Sequence, residues 1–144
     1  MFKASKKKAL GQSIQDFESI LGKSIRIDGN LIIKQSVRID GSLNGNVLQE
    51  DGDEATVAVA SGAKIMGDIR AKHIIIAGMV KGNIFSSGKI ELISGAQVEG
   101  DITYREIGID IGAKVTGKLL EIASSESSSE AELVLAQMKQ KIIG

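Results

Sequence analysis

The sequence predicts an all-β fold: a single-stranded, three-sided β-helix of about six coils, with flexible N- and C-terminal tails. Three observations predict it. Of 144 residues, 30 are Ile or Val and none is Pro, a composition suited to pleated, half-buried surfaces. A unit of the form Gly-Ala-x-(Ile/Val)-x-Gly-Asp-Ile recurs along the chain. Its second glycine falls at 45, 67, 82, 100 and 117, at intervals of 22, 15, 18 and 17. Such a period is too short for paired-helix repeats and lacks the Leu/Asn ladder of leucine-rich repeats. It matches one coil of three short strands joined by tight turns.

Residues 1–22 precede the core as a flexible tail. Met1, Phe2, Lys3, Lys6, Lys7 and Lys8 form a candidate membrane-binding segment. Each Lys near an anionic leaflet contributes ~1 kcal/mol, and burial of Phe2 adds ~2 kcal/mol. One such tail binds marginally, whereas a filament displaying many copies binds through avidity. Leu10, Ile14, Phe17 and Leu21 then fall at helical spacing. Three readings stand open for them: an amphipathic helix on a membrane, a cap over the first coil, or a segment ordered only on contact.

Residues 23–122 form the core. Full copies of the unit are Gly62-Ala63-Lys64-Ile65-Met66-Gly67-Asp68-Ile69 and Gly95-Ala96-Gln97-Val98-Glu99-Gly100-Asp101-Ile102, with variants at 78–84 and 112–119 and shorter echoes upstream. Apolar residues alternate across the second glycine, so Val98, Gly100 and Ile102 share one strand face. The glycine then relieves crowding between inward aliphatics or marks a bend at a corner. Outward positions are polar, as at Glu99, Asp101, Lys114 and Thr116. Ile74-Ile75-Ile76, Ile90-Glu91-Leu92-Ile93 and Ile107-Gly108-Ile109-Asp110-Ile111 supply the other faces. The long interval holds a polar insert, Gln49-Glu50-Asp51-Gly52-Asp53-Glu54. At the strand spacing of ~4.8 Å, about six coils make a rod roughly 25–30 Å long.

Residues 123–144 open with the Ser/Glu-rich linker composition of Ala123-Ser124-Ser125-Glu126. Ser129 and Glu132 then have capping-box spacing ahead of Leu135, Met138 and Ile142, and two readings stand open: a short helix or a flexible, partly helical tail.

Several function classes are excluded. Equal numbers of basic and acidic residues, 18 of each, remove the basic excess of a nucleic-acid binder and leave only weak, nonspecific contact through the Lys tail. Without Cys there is no disulfide scaffold or thiol chemistry. The longest apolar runs, Ile74-Ile75-Ile76-Ala77 among them, are far short of the ~20 residues that cross a bilayer. The single histidine, His73, has no second ligand beside it, and the acidic insert lacks the ligand spacing and closing Glu of a calcium loop. No phosphate loop, nucleophile elbow or pair of catalytic carboxylates is present. The expectation is no catalytic residue, metal, cofactor or nucleotide.

The ends carry the functional argument. A β-helix leaves unpaired N–H and C=O groups at its first and last coils, and monomeric solenoids need polar terminal caps. Here the repeat runs through Leu119-Leu120-Glu121-Ile122 straight into the linker. Uncapped complementary ends make heterologous contacts that propagate into filaments. The candidate polymerisation interface is Ile25, Ile27 and Leu31 at one end and Val115, Leu119, Leu120 and Ile122 at the other.

The repeat units, with the opening segment Ile20-Leu21-Gly22-Lys23-Ser24-Ile25-Arg26-Ile27-Asp28-Gly29-Asn30-Leu31, resemble those of bactofilins, polymer-forming bacterial cytoskeletal proteins, over about residues 20–122. The resemblance implies a right-handed, three-sided β-helix that polymerises end to end without nucleotide. It implies a scaffold for cell-shape, envelope-synthesis or chromosome-positioning machinery, often at the membrane. One position departs from the pattern. The last coil of the family often carries Phe within Gly-Ala-x-Phe-x-Gly, on which polymer contacts depend, where this chain has Val115.

Residues and resemblance together predict a non-enzymatic, cytoplasmic scaffold on the inner face of the cytoplasmic membrane. Its expected partners are itself, as a head-to-tail homopolymer, that membrane face, and recruited proteins. Two alternatives come from other classes. A hexapeptide-repeat acyltransferase needs a strict six-residue aliphatic period and a catalytic His. Here the steps are four from Ile65 to Ile69, four from Val80 to Ile84 and six from Leu92 to Val98, and His73 has no catalytic partner. A bounded adaptor of the same fold would bind proteins without polymerising.

Overall fold

The computed structural model describes residues 17–52 and 54–123. Met1, Phe2, Lys3, Lys6, Lys7, Lys8 and the candidate C-terminal helix lie outside these residues. The described chain winds through six coils of three strands. The first coil holds β1 (Ser19–Leu21), β2 (Arg26–Asp28) and β3 (Leu31–Ile33), and the second β4 (Val37–Ile39), β5 (Ser42–Asn44) and β6 (Val47–Gln49). The third holds β7 (Thr56–Val59), β8 (Lys64–Met66) and β9 (Ile69–Ala71), and the fourth β10 (His73–Ile76), β11 (Met79–Lys81) and β12 (Ile84–Ser86). The fifth holds β13 (Lys89–Leu92), β14 (Gln97–Glu99) and β15 (Ile102–Tyr104), and the sixth β16 (Glu106–Ile109), β17 (Lys114–Thr116) and β18 (Leu119–Glu121).

Every third strand pairs in parallel, giving three six-stranded sheets. Sheet A runs β1-β4-β7-β10-β13-β16, sheet B β2-β5-β8-β11-β14-β17, and sheet C β3-β6-β9-β12-β15-β18. The register stacks like on like. Ile74 sits between Val57 and Ile90, Val80 between Ile65 and Val98, and Ile84 between Ile69 and Ile102. These side chains fill the interior and are 0–1% exposed. Each contributes about 1.5–3 kcal/mol by leaving water.

The two glycines of the repeat have different work. At the corner from sheet A to sheet B, Gly62 has φ 89°, a left-handed turn that side chains strain to adopt. At the corner from sheet B to sheet C, Gly29, Gly45, Gly67, Gly82, Gly100 and Gly117 stack in one column. A Cβ on Gly82 would fall on the carbonyl oxygen of Gly67. The inward glycine of the sequence pattern is therefore a corner glycine, crowded by the backbone of the preceding coil rather than by its aliphatic neighbours.

The residue after each corner glycine builds a ladder along the rod. Asn30 Oδ1 accepts the Asn46 N–H at 2.9 Å, Asn46 Oδ1 that of Asp68 at 2.8 Å, and Asp68 Oδ1 that of Asn83 at 2.8 Å. Asn83 Oδ1 then accepts the Asp101 N–H at 2.9 Å, and Asp101 Oδ1 that of Lys118 at 3.0 Å. This is the reason for the Asp or Asn in the repeat. Asn83→Ala strips the Asp101 N–H of its acceptor and is expected to cost about 1–2 kcal/mol, read as a lowered urea midpoint.

Three readings change in detail. The first coil opens at Ser19, upstream of the expected core start at 23. Leu21, the last residue of the helical stripe, belongs to β1 and pairs with Ile39, so a helix over that stripe ends before Ser19. Gln49, read as part of the polar insert, is the last residue of β6. Its Oε1 accepts the N–H groups of Ala55 and Lys72, each at 2.8 Å, which ties the neck of the insert to the coil beyond it.

Candidate functional site

The same alternation that fills the interior leaves its last layer open at each end. At the N-terminal end Leu21, Ile27, Leu31 and Ile33 pack on the core from below and stay half-buried. Ile25 occupies the corner position held by Gly41, Ala63 and Gly78 in the next coils, and it is 42% exposed. Away from Ile25, at the turn from β3 to β4, a hollow of about 360 Å³ is lined by Leu21, Leu31, Ile33 and Val37 among others.

The C-terminal end mirrors this. Ile109 and Leu119 stack on Leu92 and Ile102. The inner pair is fully buried, whereas Ile109 is 46% and Leu119 42% exposed. Ile107, Ala113 and Val115 are half-buried beside them. The chemistry of the column is unchanged, and only the covering layer is missing. Among the described residues nothing covers either end, and the outer edges of β1–β3 and β16–β18 have no strand partner.

Of the residues predicted for the interface, Ile25, Ile27 and Leu31 meet at one end and Val115 and Leu119 at the other. Ile122 is half-buried where the chain leaves the last coil, its N–H on the Tyr104 carbonyl at 2.7 Å. Leu120 does not join them. It pairs with Thr103, on the outward column of sheet C that also carries Leu48, Arg70 and Phe85. Strand alternation turns it to the flank when Leu119 turns inward. Leu21, Ile33, Ile107 and Ile109 were missed. The signal was the Ile107-x-Ile109 alternation, which marks a face but not which coil is last.

The ladder also ends here. Lys118 donates its backbone N–H to Asp101, but its ammonium carries no acceptor, so the sixth coil offers nothing to a further N–H. At the opposite end Arg26 and Asp28 pair at 2.8 Å on the exposed face of sheet B, and Asn44 Nδ2 donates to Asp28 Oδ1 at 2.8 Å. The hydrogen bond from Arg26, and then that from Asn44, holds the Asp28 carboxyl below the usual carboxylate range. An ion pair this exposed adds little to stability.

His73 is the exposed first residue of β10. Among the described residues no group of His, Asp or Glu is placed to hold a metal ion. No helix among them is long and apolar enough to cross a membrane.

Residues 19–120 match the family model described as Bactofilin, polymer-forming cytoskeletal. Bactofilin BacO of Myxococcus xanthus (strain DK1622) is 32% identical over 101 residues, which cover 70% of this chain and 77% of that protein. No solved structure matches the chain.

Proposed function

This chain belongs to the bactofilin family of polymer-forming cytoskeletal proteins, and from that premise we propose a non-enzymatic scaffold whose β-helices stack end to end into filaments without nucleotide. The observation that carries the proposal is the pair of open ends, where Leu119 and Ile109 continue fully buried columns yet remain 42% and 46% exposed. Stacking a second protomer there buries the last aliphatic layer and pairs the free strand edges, removing two costs at once. Sedimentation of the purified full-length chain without nucleotide tests it. Material that pellets above a critical concentration supports polymerisation, and a monomer at every concentration moves the reading to the bounded adaptor.

Head-to-tail order continues the parallel sheets in the sense they have within the protomer. In that order Lys118 faces an N–H of the next subunit where an acceptor belongs. Lys118→Asn is then expected to strengthen the joint by about 1 kcal/mol and lower the critical concentration about five-fold. An unchanged critical concentration counts against head-to-tail order.

The basic segment at residues 1–8 anchors the filament to the inner face of the cytoplasmic membrane, and the repeating surface concentrates recruited proteins. Replacing Lys6, Lys7 and Lys8 with Ala removes about 3 kcal/mol of attraction to anionic lipid per tail, roughly a hundred-fold in affinity. Co-sedimentation with anionic vesicles checks this, and full binding by the variant overturns the anchoring role.

A further inference from the structure

The outer face of sheet A carries a groove of about 360 Å³ that end-to-end stacking does not use. Its floor is Ala58 and Ala60 of the third coil with Ile75, Ala77 and Ile93 above them. Arg38 and Glu91 flank it, and both charges already have partners, Asp40 at 2.8 Å and Lys89 at 3.2 Å. Small side chains at 58, 60 and 77 leave room for bulky apolar groups to approach. The other two flanks differ. Sheet B presents Lys64, Lys81, Gln97 and Glu99 outward, and on sheet C Arg70 lies 4.6 Å over the Phe85 ring.

Phe17 already lies against this groove and is half-buried. The chain that leads into the first coil therefore emerges at the groove. Immediately upstream, Ile14 and Leu10 stand three and seven residues from Phe17, the spacing of one apolar stripe on a helix. The lengths agree as well. From Arg38 in the second coil to Glu91 in the fifth is about three strand spacings, roughly 14 Å, and a helix from 10 to 16 rises about 9 Å. A helix so short is marginal alone in water, so a packed face supplies what would order it.

We propose that residues 10–16 dock in the sheet A groove as an amphipathic helix leading into Phe17, with Leu10 and Ile14 on the alanine floor beside it. The occupant is the chain's own N-terminal segment. Docking fixes where the basic tail departs: Lys3, Lys6, Lys7 and Lys8 leave the rod from the sheet A side. It holds for the single protomer and does not rest on the filament reading.

The natural chain contains no Cys and no Trp, so engineered probes report without background. In the full-length chain, Ile14→Cys with Ala58→Cys is expected to form an intramolecular disulfide roughly ten-fold faster than Ile14→Cys with Gln97→Cys on sheet B, because docking raises the local concentration of one pair only. Equal rates overturn the proposal. Predominant disulfide-linked dimers also overturn it, since the occupant is then a second copy. An independent arm uses Ile14→Trp, whose emission is expected to be blue-shifted and to return to that of a water-exposed indole on adding Ala77→Arg. Water-like emission in both variants contradicts docking.

Discussion

Leu119→Arg is expected to leave the β-helix folded and to abolish filaments. Leu119 extends the column of Ile84 and Ile102, but it is the terminal member and 42% exposed. In the free protomer an arginine there swings its guanidinium into water and loses only part of one leucine's packing. In a joint the same charge is buried without a partner. That costs about 3–5 kcal/mol, which raises the critical concentration by two to three orders of magnitude or more at roughly 1.4 kcal/mol per factor of ten. Circular dichroism checks the fold and pelleting checks assembly. Leu120→Arg is the matched control, because Leu120 lies in the outward column of sheet C with Thr103. It is expected to assemble. If both variants fail alike, the joint is not the stacked end.

Gly82→Ala is expected to cost a large part of the fold's stability, as is the same change elsewhere in its glycine column. The added Cβ would fall on the Gly67 carbonyl oxygen. The coils cannot separate to admit it, because Gly67 and Ile69 donate their N–H groups to the Lys81 and Asn83 carbonyls of Gly82's own coil, both at 3.0 Å. Relief requires breaking ladder bonds on one side or the other. The expected cost is about 4 kcal/mol or more, against a change within about 0.5 kcal/mol for Gly108→Ala, where a Cβ meets nothing within 4 Å. Urea unfolding of the pair checks this. Similar midpoints would remove the stacked glycine column as an element of the fold.

Much of this architecture was legible because a solenoid repeats its local rules. The period between second glycines set the coil, and the parity of Val98, Gly100 and Ile102 separated inside from outside. What the residues could not show is which backbone lies above which. The carbonyl that excludes a Cβ at Gly82 belongs to a residue fifteen positions earlier, and the ladder through Asn46, Asp68, Asn83 and Asp101 links residues 15 to 22 apart. Gln49 was hidden for the same reason, since the N–H of Lys72 that it accepts lies 23 residues away. Leu120 was misplaced by treating Leu119-Leu120 as one apolar pair, although adjacent residues of a strand face opposite ways. Sheet A was the least visible of the three, because its strands carry no glycine signature. The groove beside Phe17 went unseen with it.

The most direct test of end-to-end stacking is electron microscopy of filaments from the full-length chain, grown without nucleotide and imaged finely enough to resolve the axial layer spacing. Continuous β-helices predict unbranched filaments with strands perpendicular to the axis and a layer line near 4.8 Å along it, in wild type but not in Leu119→Arg. Discrete particles in wild type, or filaments whose strands run along the axis, would contradict it.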